Sequence, residues 1–219
     1  MIEKIRKAFN KFLDVIFPFG VTCMFCGEEI DGKSVNGLCK ECSGKIAKVE
    51  NQLAFYDYIA VYSACEYENL ARKIILSAKD SDRPELIRIM ALYIEEIYRE
   101  KDFQCDFIAF VPSSKNNARK RGYDHMKICA RFIAYDLNAP VLKGLKCIGE
   151  KKDQTEISTQ ERKANVKNKY VYEGESLKEK TVLLIDDIVT TGATLAECVS
   201  ALKEAGAKRV VCVTFGRAA

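Results

Sequence analysis

Tryptophan is absent, histidine occurs once, and only four prolines interrupt 219 residues. Without tryptophan there is no indole platform for stacked bases, although 10 tyrosines and 11 phenylalanines leave other aromatic surfaces available. No uninterrupted apolar run reaches the ~18 residues that a membrane-spanning helix needs. The N-terminal segment carries Glu3, Lys4, Arg6, Lys7, Lys11 and Asp14 among its apolar positions, so it lacks the continuous apolar core of a secretory signal. A cytoplasmic location is the expectation. Charge of one sign is scarce as well: 35 basic and 31 acidic residues leave +4. That balance suits an anionic ligand or occasional nucleic-acid contact and falls short of the basic excess of a dedicated DNA binder. No tract is polar and repetitive enough to read as disorder.

Cysteine is what the chain has in quantity. Four of the ten are patterned: Cys23-x2-Cys26 and Cys39-x2-Cys42, with twelve residues between the pairs. Each pair forms a tight turn that aims two thiolates at one point, and two such turns complete a tetrahedron. Gly27 follows the first pair, where the backbone must turn back beneath a metal. Structural Zn²⁺ is the reading, since all four corners are thiolates and no ligand position is left open. A redox C-x-x-C or a site that has lost its metal are the alternatives; a redox pair would need only one C-x-x-C beside a βαβ unit. The other six (Cys65, Cys105, Cys129, Cys147, Cys198, Cys212) lie mostly among apolar neighbours and read as small buried hydrophobes. Disulfides are not expected in a reducing compartment.

The length accommodates one well-buried domain and a small satellite. The division expected is 1–50, an N-terminal helix and the four-cysteine module, and 51–219, an α/β domain. Ile2, Ile5, Phe9, Phe12, Leu13 and Ile16 recur at helical spacing. That helix either packs on its own protein or touches a membrane surface or partner. A helix is expected from Cys39 to Val49, a strand over Tyr58–Cys65, helices over Asn69–Ala78 and Pro84–Lys101, and a buried strand over Phe107–Val111. Asp124 caps a helix to Tyr135. Residues 149–168 read as a mobile loop, Tyr170–Tyr172 as a short edge strand, Thr181–Ile185 as a buried strand. A helix over Ala193–Ala205, closed by Gly206, precedes a last strand over Arg209–Phe215. Strands alternating with helices imply a mostly parallel sheet flanked by helices.

The segment Val182–Thr194 concentrates the chemistry. An apolar strand runs into Asp186 and Asp187, then through Ile188 and Val189 to Thr190, Thr191 and Gly192, and a helix opens at Ala193 and Thr194. A helix N-terminus offers unpaired N–H groups and the positive end of its dipole. The threonines add hydroxyl donors, and glycine lets the backbone close round an anion. Two carboxylates beside a phosphate cup repel the phosphate unless hydroxyl donors or a divalent ion occupy them, so the composite ligand is a sugar phosphate. A plain capped strand–turn–helix is the alternative.

Residues 182–194 resemble the phosphoribosyl pyrophosphate (PRPP) motif of type I phosphoribosyltransferases. That resemblance implies that the acidic pair holds ribose hydroxyls, the turn holds the 5′-phosphate, and Mg²⁺ bridges ribose and pyrophosphate oxygens. Nearly the whole chain is similar to the ComF family, whose members include competence proteins for DNA uptake. The likeness runs from Phe12–Pro18 and the cysteines through Lys79, Arg83–Leu86, Val111-Pro112 and Arg119–Tyr123, on through Gln154–Val166 to the PRPP motif. It implies a type I phosphoribosyltransferase-like sheet behind a zinc module. Lys115, Arg119, Lys120, Arg121 and Gly122 crowd a loop at a strand's carboxyl end, where ligands of open α/β sheets sit. Their role by resemblance is to neutralise pyrophosphate, and a solvated basic face is the alternative. Gln154, Ser158, Arg162 and Asn165 would belong to a loop closing over PRPP, with Arg162 and Lys163 meeting charge on the departing pyrophosphate. The catalytic set so implied is Asp186, Asp187 and Arg162.

Three positions depart from the ComF pattern. Phe110 replaces a proline, Asp124-His125 replaces Asn-Gln, and Ser81-Asp82 replaces a Gly-Gly turn after Lys79. His125 reads as a cap-region or surface residue rather than a general base. Three functions stay open: a ComF-type protein that binds PRPP and handles incoming single-stranded DNA, with a DNA-uptake helicase or channel as partner; a nucleobase or amine phosphoribosyltransferase of nucleotide salvage; and a PRPP-sensing module without chemistry.

Overall fold

The structure, a computed structural model, describes residues 21–30, 34–79, 83–148 and 169–218. The expected N-terminal helix lies outside these residues. So do the Ser81-Asp82 turn and the loop carrying Gln154, Ser158, Arg162, Lys163 and Asn165.

The described elements run α1 (Lys40–Gly44), β1 (Leu53–Tyr56), β2 (Ile59–Glu66), α2 (Asn69–Lys79), a 3₁₀ turn (Pro84–Leu86) leading into α3 (Ile87–Glu100), and β3 (Phe107–Phe110). They continue with α4 (Lys115–Arg121), α5 (His125–Asp136), β4 (Leu145–Cys147), β5 (Tyr170–Tyr172), β6 (Thr181–Val189), α6 (Ala193–Glu204) and β7 (Arg209–Arg217). Five strands form one sheet in the order β1-β2-β7-β6-β3, and β4 pairs with β5 in a second, two-stranded sheet. Only β1 is antiparallel in the large sheet; β2, β7, β6 and β3 run parallel.

Both faces of the parallel strands are covered, which explains their continuous apolar runs. Along β6, Leu183 and Ile185 join the core beneath α2, α3 and α5, while Val182 and Leu184 join the core beneath α6 and the small sheet. All four are fully buried, each worth about 1.5–3 kcal/mol relative to exposure. This strict alternation decides which way the next two residues of β6 face.

The structure amends several expectations. β6 does not stop at Ile185 but continues through the acidic pair to Val189, pairing with β7 as far as Val189–Arg217. The basic segment is a helix rather than a loop: the Ser114 hydroxyl accepts from Asn117 N at 3.3 Å, and Gly122 closes α4 in the left-handed conformation at φ 78°. α1 is one short turn ending at Gly44. β1 and β4 were not anticipated. Of the six unpatterned cysteines, five are buried and Cys105 is half-buried.

Candidate functional site

Two clusters of chemistry-bearing residues emerge. The first is the cysteine module. The four thiols of Cys23, Cys26, Cys39 and Cys42 lie within 4.8 Å of one another, a set that can hold one metal ion. The backbone suits such an ion. Gly27 N donates to Cys23 O at 2.8 Å, with Gly27 at φ +79°, and Cys42 N donates to Cys39 Sγ at 3.4 Å. Burial disfavours the Cys23 thiolate, yet amides of Cys26, Cys39 and Phe25 point at its sulfur and its pKa comes down to about 6. Four converging thiols are a zinc ligand set, so the donor set fits zinc.

This module is tied to the domain behind it. Arg83, just before the 3₁₀ turn, donates through Nη1 to Phe25 O and through Nη2 to Met24 O, both at 2.7 Å. Those carbonyls belong to the turn between Cys23 and Cys26. The same guanidinium donates through Nε to Glu85 at 2.7 Å and lies 5.7 Å from the Phe25 ring centroid. Cys23, Leu38 and Cys42 share a core with α2 and α3.

The second cluster stands at the carboxyl ends of the parallel strands. β6 delivers Asp186 and Asp187 there, and their side chains leave opposite faces of the sheet. Asp186 lines a small open cup with Ile188, Val189, Thr190, Thr191, Gly192, Ala193, Thr194 and Leu195. Gly192 is the N-cap of α6 and provides no side-chain acceptor, so the first amides of the helix face the cup with only a 3.5 Å contact from Ala193 N to Thr191 Oγ1 among the described residues. Burial, and after it the charge of Asp187, raises the pKa of Asp186 well above the usual carboxylate range. Part of its surface still opens to the cup.

Asp187 sits on the helix side. Its Oδ2 meets Lys79 Nζ at 2.8 Å and His125 Nε2 at 2.5 Å. Burial opposes its ionisation, but the His125 hydrogen bond and the Lys79 ammonium outweigh that, and its pKa is lowered. Lys79 ends α2, where its charge also suits the helix dipole. Tyr123 OH donates to Ala78 O at 2.7 Å, joining the turn after α4 to this helix end.

His125 is the cap-region residue that the sequence suggests, and not the surface residue offered beside it. Its chain position is the expected one, the first residue after the Asp124 cap, whose carboxylate accepts from Met126 N at 3.1 Å and Lys127 N at 3.4 Å. It is no surface residue, however: it is 4% exposed, because Asp187, 62 residues on, takes its ring as a partner. The signal available in the sequence was a lone histidine immediately behind a helix cap at a strand's carboxyl end. Among the basic residues, Arg121 Nη1 lies 3.4 Å from His125 Nδ1, while Arg119 and Lys120 are exposed at the end of α4.

Gly192 admits no side chain. Its φ is +72°, and a Cβ there would run into Tyr56, with the Tyr56 Cγ only 2.8 Å away. Gly192→Ala therefore combines left-handed strain with a forced shift of Tyr56, together about 2–3 kcal/mol. The expected result is an unfolding free energy lower by that amount, checked by urea denaturation of the variant and the wild type.

Parts of the chain are similar to known proteins. Residues 128–218 match the family described as Phosphoribosyl transferase domain. Competence protein ComFC of Bacillus subtilis (strain 168) is 24% identical over 191 residues, 85% of this chain and 73% of the relative. Competence protein F of Haemophilus influenzae is 22% identical over 208 residues, 89% of this chain and 82% of the relative. A solved adenine phosphoribosyltransferase from Leishmania tarentolae is 16% identical with a TM-score of 0.40, over 65% of this chain and 74% of that one. Among the described residues, no helix is long and apolar enough to cross a membrane.

Proposed function

Because this chain belongs to the ComF family within the phosphoribosyltransferase superfamily, we propose that it binds PRPP with Mg²⁺ at the cup between β6 and α6 and serves the uptake of DNA. The observation that carries the reading is one contiguous arrangement: an acid-tipped strand opening into a helix start whose cap residue has no side chain, with Asp186 on the cup wall. Helix amides and threonine hydroxyls suit the 5′-phosphate. The Asp186 carboxylate suits ribose hydroxyls, which donate to it most strongly when it is ionised. Mg²⁺ fits through the ligand: phosphate-binding donors dominate the cup lining, and the ion would arrive on pyrophosphate and ribose oxygens.

The roles of the remaining residues belong to the same proposal. Arg119, Lys120 and Arg121, with Lys115 at the start of α4, neutralise pyrophosphate, and Arg162 closes over it from the segment between β4 and β5. Zn²⁺ holds the four cysteines as a structural ion, within a module spanning 1–50 ahead of the transferase-like domain at 51–219. Single-stranded DNA, or a helicase or channel that carries it, is the partner class in a cytoplasmic setting.

Titration calorimetry with PRPP and Mg²⁺ tests the reading. Wild type is expected to bind with release of a proton, because burial and the charge of Asp187 raise the pKa of Asp186 while donating hydroxyls favour its ionised form. Affinity then weakens as pH falls, and the heat varies with the ionisation enthalpy of the buffer. Asp186→Asn removes both binding and proton release. Pyrophosphate appearing with a base, an amine or single-stranded DNA as acceptor would add transferase chemistry; binding without it leaves a sensor. Absence of heat from wild type over the full pH range would sink the proposal.

A further inference from the structure

His125 contacts two groups that lie on different sides of the candidate site. Its Nε2 is 2.5 Å from Asp187 Oδ2, and its Nδ1 is 3.4 Å from Arg121 Nη1. A guanidinium has donors and no acceptor, so Nδ1 can only accept and the ring proton belongs on Nε2. The imidazole thereby becomes a one-directional connector, with Arg121 donating into it and Nε2–H donating out to Asp187. Arg121 is the last residue of α4, beside the exposed cations Arg119 and Lys120. Asp187 is covalent neighbour to Asp186 on the cup wall, and its amide donates to Asp186 Oδ1 at 2.9 Å. Lys79 occupies the same oxygen of Asp187 from α2. A buried histidine on N1 of a helix has no need of these particular partners for capping, which Asp124 already performs.

We propose that His125 is the positioning residue of the acidic pair, coupling the basic end of α4 to the carboxylates of β6. With no anion bound, Arg121 rests on Nδ1 and the ring holds Asp187 on the helix side of the sheet. A diphosphate-bearing ligand that draws Arg121 toward itself frees Nδ1. The ring, still donating from Nε2 to Asp187, can then turn, and it carries that carboxylate with it as the ribose end of the ligand reaches Asp186. The basic helix end and the acidic pair therefore respond to one ligand together. The ligand arm of this inference rests on the PRPP reading; the connector itself does not.

His125 is the only histidine in the chain, so the imidazole nitrogens of uniformly ¹⁵N-labelled full-length protein give one unambiguous pattern by long-range ¹H–¹⁵N correlation. At pH 8 the free protein is expected to show the proton on Nε2. Arg121→Ala, with its fold verified by thermal melting, shifts the Nδ1 resonance, Arg121→Lys restores part of the wild-type pattern, and Asp187→Asn moves the Nε2 resonance. Magnesium pyrophosphate added to wild type is expected to shift the same resonances as Arg121→Ala does. A proton on Nδ1 in the free protein, or a pattern indifferent to both Arg121→Ala and Asp187→Asn, overturns the connector. If those two respond while magnesium pyrophosphate changes nothing, the coupling to ligand is overturned. Failure of PRPP to give heat in calorimetry marks instead the failure of the underlying reading, and the tautomer of the free protein still decides the connector.

Discussion

Removal of the zinc proposed for the four-cysteine site is expected to lower the melting temperature by about 10–20 °C. A structural zinc in small modules contributes an apparent ~10–16 kcal/mol to folding at neutral pH. Here part of that is retained, because Leu38, Cys23 and Cys42 also pack on the α2–α3 core. A net loss of about 5 kcal/mol is the estimate, and for a chain of this size each kcal/mol moves the midpoint by ~2–4 °C. The loss reaches beyond the module. Arg83 donates to Met24 O and Phe25 O within the first cysteine turn, so a turn that loosens releases the guanidinium and the entry to α3. Cys42→Ser should reproduce the effect, since Cys42 is buried and a hydroxyl is a poorer ligand than a thiolate. Melting with and without chelator, with metal content measured in parallel, checks this. A protein that surrenders its metal and melts within about 2 °C of the holo form shows that the cysteines do not support the fold through an ion.

Changing the two adjacent aspartates is expected to move stability in opposite directions. Asp187→Ala leaves the Lys79 ammonium and the buried His125 ring without their shared acceptor. Removing one partner of a buried charge pair costs about 3–5 kcal/mol, mostly the penalty of the charge left behind. Asp187→Asn keeps an acceptor oxygen but no charge, and should fall between. Asp186 is different. Its raised pKa means that the folded protein disfavours the ionised form, through burial and then through repulsion by Asp187. A carboxyl whose folded pKa lies above its unfolded value costs stability as pH rises through that folded pKa. Asp186→Asn is therefore expected to raise the urea midpoint at pH 8 and to have little effect at pH 4, while abolishing ligand binding. Urea unfolding of the three variants at both pH values reads this out. Destabilisation of similar size by Asp186→Asn and Asp187→Asn at pH 8 would show that the pair is not divided as described. A carboxylate held at a cost to stability fits the binding role proposed for Asp186.

Local motifs were the legible part. The cysteine pairs announce themselves because each turn is closed by neighbours in sequence: Gly27 N to Cys23 O, Cys42 N to Cys39 Sγ. The cup could be read for the same reason, since strand, turn and helix start are contiguous from Val182 to Thr194. β1 escaped notice because Leu53–Tyr56 has no strong alternation of its own and is held by pairing with β2 and by Tyr56 packing against Gly192. β4 is three residues long and exists through β5. α4 looked like a loop because Lys115–Arg121 has no apolar face; a serine cap and a left-handed glycine end it instead. The place of His125 along the chain was legible and its depth was not.

Sequence alone settled what depends on short-range stereochemistry: where thiolates converge, where a strand gives way to a helix start, and which residue types meet an anion. Tertiary structure alone decided the sides. Neighbouring carboxylates part because a strand alternates faces, but which face is the cup and which holds Lys79 and His125 follows from how α2, α5 and α6 pack against β6. Pairing between residues far apart in the chain is governed by burial and charge in the folded state, and a linear pattern carries no measure of either.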